Sequence, residues 1–496
     1  MLRRAALVAV ILAPTFPSVG WAQVTPDRAT MLQQQIQDWL QSTLGISTKP
    51  VRPLVRVTAA GDHFDLAAPL NTAPDAPVLT GKMTDAGNGR WNVDDVSIPS
   101  PSVFNYKLPA SKKPGTPSGE LTSTVTVGSQ QQHLLLDPTF ATPSTSTSMI
   151  KDMSISTTGT GLTQLTHIDS GSGNGTMTPV ADGRVDVAIN SGLEGYSIKM
   201  SGGTDQTPVA LTMNKVSIIA NLAGVSRNRM VDVAHELSSN LPTAAPTTGT
   251  KAPDSQKMAA LLISLADLAK SVSLDEKITD VSLTMQDLTG TLKGLSIGLT
   301  SSATDGKLQA RMPLAAEGLT LPDIGLGSMV ALVPNRLAFT PSIGAVPTEA
   351  LMRMSRKLAA KQDPADDDVA ALFSQGPITA GIEDLSVDVA GTGFTGTLSA
   401  LISSPAKFSG TGKITAVDID KLQQAVAANP QTAQFGAVLI FIKGVGRSEQ
   451  NRLVWDLNYV DGRLLVNGQD MAALMGQSAQ PTPPPAQARP RPPVRK

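Results

Sequence analysis

The chain has 496 residues, room for about three domains at roughly 150 residues each, and its 40 Lys+Arg against 41 Asp+Glu leave a formal charge of −1. That balance excludes the concentrated cationic surface of a nucleic-acid binder, and an aromatic content of 3% excludes a base- or sugar-stacking platform. With no cysteine there are no disulfides, thiolate zinc sites, iron–sulfur clusters, cysteine nucleophiles or lipoprotein acylation, while 41% hydrophobic residues still supply a core.

Residues 1–22 read as a signal peptide. Arg3 and Arg4 form the positive start, Ala5–Ala13 is a short apolar stretch, and Gly20-Trp21-Ala22 sets small residues before a cut between Ala22 and Gln23. The apolar stretch is about half the ~18 residues a spanning helix needs. Two later runs, Lys257–Lys270 and Ala433–Ile442, are interrupted or too short, so no integral span is expected in the mature chain. The expected location is a Gram-negative periplasm, with the signal peptide cleaved.

A helix is predicted from Thr25 to Leu44. Thr25 caps it, Pro26 fits its first turn, and Leu32, Ile36, Trp39, Leu40 and Leu44 make one apolar stripe. Its polar face is rich in glutamine rather than Lys and Arg, which favours packing onto protein over lying on a membrane. After Gly45 the pattern becomes short alternating runs between turn residues: Val51–Val57, Leu121–Val127, Arg184–Ile189 and Val281–Met285. Such alternation predicts antiparallel sheet with one apolar face. Ser144–Thr163 and Gly290–Thr304 also read as strands and hairpins.

A six-residue pattern, apolar-x-Asp-apolar-Ser-apolar, recurs at Val93–Ile98, Ile150–Ile155, Ile278–Leu283 and Ile382–Val387, with a degenerate copy at Met213–Ile218. The pattern suggests recurrent β-units whose Asp stands where a turn meets a strand, bonding the local backbone. Further helices are predicted at Asp254–Val272, Thr348–Lys361, Ala365–Phe373 and Ile419–Ala428. The expected fold is α+β, mainly β: curved antiparallel sheets of recurrent hairpin units with a few flanking helices. The expected division is an N-terminal β-rich half at 23–240 with the opening helix, a linker at 241–253, a C-terminal β-rich half with helices at 254–476, and a disordered, Pro-rich basic tail at 477–496.

Chemical motifs are present only in part. The four histidines, His63, His133, His167 and His235, lack metal-ligand spacing, and His235-Glu236 is followed by Ser239 where a zinc-protease helix needs its second histidine. Gly294-Leu-Ser296-Ile-Gly298 matches a nucleophile elbow, but no histidine follows it in the chain. Ser148…Lys151 and Ser404…Lys407 have serine–lysine spacing without the companion motifs. Gly391-Thr-Gly393-Phe-Thr-Gly396 matches a dinucleotide fingerprint, yet Thr397–Ile402 alternates like a strand where the helix should begin. The Asp366–Asp368 cluster starts a helix rather than a calcium loop. No catalytic residue, metal ligand or cofactor is therefore expected.

Near the C-terminus, Trp455-Asp-Leu-Asn-Tyr-Val-Asp-Gly-Arg-Leu-Leu-Val-Asn-Gly468 reads as strand, tight Asp-Gly turn, strand and Asn-Gly. With the signal peptide, early helix and long β-rich body, this hairpin resembles the YdgA-like periplasmic proteins of Gram-negative bacteria and their alphaproteobacterial domain-of-unknown-function relatives. The resemblance implies location and a β-rich fold and transfers no catalytic residue. Three functional readings follow. The first is a non-enzymatic envelope protein binding a lipid-like ligand on a curved sheet, the 17 methionines suiting an adaptable apolar surface. The second is a structural or assembly factor that acts by protein–protein contact without a small ligand, and the third is a hydrolase.

Overall fold

The computed structural model describes residues 24–474 except 45–54, 71–75, 109–118, 138–142, 160, 203–207, 227–267, 323–326, 360–361, 429 and 431. The cleavage position Ala22/Gln23, the 241–253 linker, the 477–496 tail and most of the helix expected at Asp254–Val272 lie outside the described residues.

Helix α1 (Pro26–Leu44) opens the described chain. Strands β1 (Arg56–Ala60), β2 (His63–Pro69), β3 (Val78–Gly87), β4 (Arg90–Ser97) and β5 (Ser102–Leu108) follow. Then come seven long strands: β6 (Gly119–Leu136), β7 (Thr145–Gly159), β8 (Leu162–Pro179), β9 (Arg184–Gly202), β10 (Val209–Ser226), β11 (Ser271–Met285) and β12 (Leu288–Thr304). Next are β13 (Lys307–Arg311), β14 (Leu314–Glu317), β15 (Arg336–Pro347), α2 (Thr348–Ala359) and α3 (Asp366–Ala371). The last part holds β16 (Ile378–Val389), β17 (Thr392–Ser404), β18 (Lys407–Val417), α4 (Ile419–Ala427), α5 (Gly436–Val445), β19 (Arg447–Glu449), β20 (Arg452–Val460), β21 (Arg463–Val466), β22 (Gln469–Asp470) and α6 (Met471–Leu474). The class is thus mainly β, with few helices.

Every pairing is antiparallel. β1 through β4 run in order, β4 joins β6, and β6 through β12 continue strand by strand. β12 splits its partners between β13 and β14; both rejoin β15, which leads through β16, β17 and β18 to β20. Among the described pairings β1 meets only β2 and β22 only β21, so these two strands are edges of the described sheet. Strand β11 starts at Ser271, so Val272 belongs to the sheet; this corrects the C-terminal end of the helix expected at Asp254–Val272. Its β-branched side chain and its place opposite Leu222 suit a ladder.

Local chemistry sets the hairpins. Asp461-Gly462 (φ 48° and 78°) joins β20 to β21, and Asn467-Gly468 (φ 49° and 80°) joins β21 to β22, two turns with both central residues left-handed. The N-terminal core is conventional. Ala29, Leu32 and Ile36 of α1 bury against Val57, Phe64, Leu66, Met83, Trp91 and Leu134, and Phe64 meets Trp91 edge-on at 5.6 Å. The Gln33 side-chain carbonyl accepts the Val57 N–H at 3.1 Å, tying the helix's polar side to β1.

The recurrent Asp does not stand at a strand end, as its sequence context suggests. Asp95, Asp152, Asp280 and Asp384 lie inside β4, β7, β11 and β16 with φ between 51° and 54°. Asp tolerates this left-handed region better than most residues. At Asp95 and Asp384 the register slips, whereas at Asp152 and Asp280 the ladder is interrupted and then resumes in register. Between β6 and β12 these interruptions fall opposite one another, at Gly128, Asp152, Asp169, Gly195, Asn214, Asp280 and Lys293. The local packing supports this line. Asn214 donates to Asp280 at 3.2 Å, and a Cβ on Gly128 would sit 2.8 Å from that of Asp152.

The line shifts the side-chain phase by one residue. Ile150 and Met153 flank Asp152, Leu193 and Tyr196 flank Gly195, and all four join one cluster with Phe104, Val125 and Ile168. Uninterrupted alternation would send residues three apart to opposite faces. The left-handed step keeps the first apolar position of the six-residue pattern on the same side as its fourth.

Helices α2 and α3 close one end of the sheet through Val346, Ala350, Leu372 and Ile378. Between them the buried Asp368 carboxylate takes Lys357 Nζ at 2.5 Å, the Ala365 N–H at 2.9 Å and Arg353 Nε at 3.1 Å. The Lys357 bond, then the Ala365 N–H, hold its carboxyl below the ordinary carboxylate range. A depressed folded pKa means stability that is fully present above the unfolded value of about 3.9 and is lost as pH falls through the folded one. Asp368→Asn should therefore flatten the acid limb of melting temperature against pH below about pH 4. An acid limb identical to that of the parent chain would remove Asp368 from the acid response.

Candidate functional site

Cross-strand neighbours share a face, so the register assigns each side chain to one side of the sheet. One transverse row reads Ile150, Gly171, Leu193, Val216, Ile278, Leu295, Ala316, Leu337, Val387, Phe394, Ala416 and Leu453, each directly opposite the next. It crosses from β7 to β20 without a charged residue. The adjoining row, pointing the other way, reads Gln131, Met149, Ser172, Gly192, Ser217, Lys277, Ser296 and Ala315. The sheet thus has one apolar face and one rich in Ser and Thr.

The apolar face is only partly covered by the described residues. At its edges it packs against the N-terminal lobe, against α2 and α3, and against α4. In the middle, Leu283 is 44% exposed and Met285 48%, with Ile189, Met200 and Leu288 exposed as well. Strands of 15 to 19 residues rise about 3.3 Å per residue, giving a surface roughly 50–60 Å long. One charge enters it: Glu276 stands opposite Ile218 on one side and Ile297 on the other.

Among the described residues, a larger and a smaller groove open on the hydroxyl-rich face. The larger, about 840 Å³, takes lining residues from eight strands, β8 through β13 together with β15 and β16, including Thr176, Asp186, Asn221, Ser273, Gln309 and the Arg311–Glu383 pair at 3.1 Å. The smaller, about 240 Å³, lies between β8 and β11 beside Lys199 and Gln286.

The motif residues stay apart. His63 meets Asp62 at 2.9 Å, His133 meets Asp94 at 2.5 Å and His167 meets Asp169 at 2.9 Å, each at a separate place; His235 lies outside the described residues. Among the described residues no group of three His, Asp or Glu could hold a metal ion. Ser296 sits within β12 and Ser148 and Lys151 within β7, while Ser404 ends β17 and Lys407 begins β18. Gly391 is in the turn between β16 and β17, and Gly393 and Gly396 lie in β17, so no helix N-terminus follows to receive a pyrophosphate. No protein-family model, curated protein or solved structure matches this chain.

Sequence reasoning missed the exposed helix α5. Its signal is the run Gly436–Ile442, in which every residue is apolar and none alternates with a polar one.

Proposed function

We propose that this is a non-enzymatic protein of the Gram-negative periplasm, exported by a signal peptide cut between Ala22 and Gln23, that binds a lipid-like ligand on the apolar face of a curved sheet. The observation that carries this reading is the uncharged row from Ile150 to Leu453, flanked by half-exposed Leu and Met side chains. Apolar area of that extent in water favours a cover, and acyl chains match a broad, weakly directional surface. Methionines among its exposed side chains, Met200 and Met285, can repack around chains of different shape. The ligand lies on this face rather than in the hydroxyl-lined groove. The left-handed residues in mid-strand at Asp95, Asp152, Asp280 and Asp384 favour a curved sheet, because such interruptions bend a strand and increase its local twist.

Titration with a fluorescent acyl probe tests the reading. Leu283→Asp places a charge on the apolar face at an already exposed position and should weaken probe binding about tenfold. Ser282→Asp, one residue along and on the opposite face, should leave it unchanged. Native mass spectrometry of protein purified from its own periplasm should show a lipid in stoichiometric amount. Ligand-free protein that takes up no probe would instead favour a scaffold or assembly factor, and turnover of an ester, amide or phosphate substrate abolished by one substitution would make it a hydrolase.

A further inference from the structure

Helix α5 departs from the rule that a surface helix is amphipathic. Phe435 at its N-cap is 53% exposed, Val438 52%, Ile440 60%, Phe441 37% and Ile442 38%. At about 100° per residue these side chains sweep an arc of roughly 200°. Leu439 and Lys443 occupy the inward arc, and Val445 packs against the buried cluster that contains Trp455. The C-terminal end is firmly held. Trp455 Nε1 donates to the Ile442 carbonyl at 2.9 Å, Asn467 Nδ2 donates to the Val445 carbonyl at 2.8 Å, and Lys443 Nζ pairs with Asp420. The apolar arc is thus presented on a fixed support.

We propose that α5 is a membrane-contact element that seats in one leaflet of a phospholipid bilayer. Its ten residues span about 15 Å, half of the roughly 30 Å hydrocarbon thickness, so it can enter a leaflet and cannot cross. The five exposed side chains offer on the order of 400 Å², about half of the ~800 Å² each partner buries in a stable protein complex. The arc holds no hydrogen-bonding or charged side chain with which a protein partner could be selected. The charges at its base are already paired, Lys443 with Asp420 and Arg447 with Glu449 and Asp456. Contact therefore needs no anionic lipid and should be nearly insensitive to salt.

Flotation of the purified protein with neutral phosphatidylcholine vesicles tests this. The parent chain should float, and Val438→Asp with Ile440→Asp should cut the bound fraction at least about tenfold. Both positions are more than half exposed, so the double variant should keep the parent melting temperature. Phe435→Trp should report insertion directly, through a blue-shifted emission on vesicle addition. Leu283→Asp, on the sheet, should float like the parent, which separates this proposal from lipid binding on the apolar face. The proposal falls if the parent stays at the bottom of the gradient or if the α5 double variant floats equally well. It falls equally if Leu283→Asp alone abolishes flotation, or if the parent sediments as a dimer that the double variant dissociates.

Discussion

Trp455→Ala should lower the unfolding free energy by about 3–5 kcal/mol, the usual cost of emptying a buried large aromatic site. The ring is 5% exposed and belongs to a cluster with Ala416, Ile419 and Val466. It also closes two structural joints. On β20 it stands opposite Ile414 of β18, and its indole N–H caps the Ile442 carbonyl of α5. Gly446 lies so close that an added Cβ would be 3.1 Å from Nε1, so the indole packs directly against this stretch of backbone. Trp455→Phe separates the two contributions. It keeps most of the packing and removes the hydrogen bond, and should cost about 1–2 kcal/mol. Urea unfolding followed by far-UV circular dichroism measures both. An alanine variant with the parent midpoint would show that α5 and the C-terminal hairpin are not cooperatively joined to the sheet.

Much of this end of the molecule was legible in the sequence, for identifiable reasons. Asp461-Gly462 and Asn467-Gly468 are dipeptides whose backbone preferences already specify tight turns, so the hairpin followed from local chemistry. Helix α1 was legible from Pro26 and from the spacing of Leu32 and Ile36, which together define a start and a buried stripe. Helices α2, α3 and α4 lie within the predicted spans for the same reason. The recurrent Asp was visible as a pattern, but its meaning was not. A left-handed residue in mid-strand breaks period two, and the apolar spacing on its two sides then reads as two short strands meeting at a turn. Only the cross-strand register shows that Ile150 and Met153 lie on one side. The exposure of α5 was hidden for a different reason: an apolar run looks the same whether it is buried or not. The two faces of the sheet were foreseeable from Ser/Thr alternating with Val, Leu and Ile, whereas the groove spanning β8 to β16 arises from neighbours far apart in the chain.

The line of interruptions makes a sharp prediction at Gly195. Its φ is 63°, a conformation shared with Asp152 and Asp280, yet here the residue is glycine. Left-handed backbone alone does not demand this, since Asp serves at the other two positions. The difference is the neighbour: a Cβ at Gly195 would coincide with the Asp169 carboxylate, which lies across the strand from β8 and bonds His167 Nε2 at 2.9 Å. Gly195→Ala therefore carries two costs, about 1–2 kcal/mol for the left-handed conformation and a further ~1–2 kcal/mol for displacing Asp169. Asp169→Ala alone should cost less than about 1 kcal/mol, because the carboxylate is 66% exposed and its histidine partner is a surface pair. Combined, the two substitutions should destabilise less than the sum of the singles, since removing the carboxylate relieves the two closest approaches to the new methyl, at 1.8 and 2.1 Å, and leaves only the residue-169 Cβ, at 2.7 Å, to give way. The expected coupling is at least ~1 kcal/mol, read from urea midpoints of the four proteins in the cycle. Strict additivity would mean that backbone conformation alone selects glycine at 195, and that Asp169 turns aside without resistance.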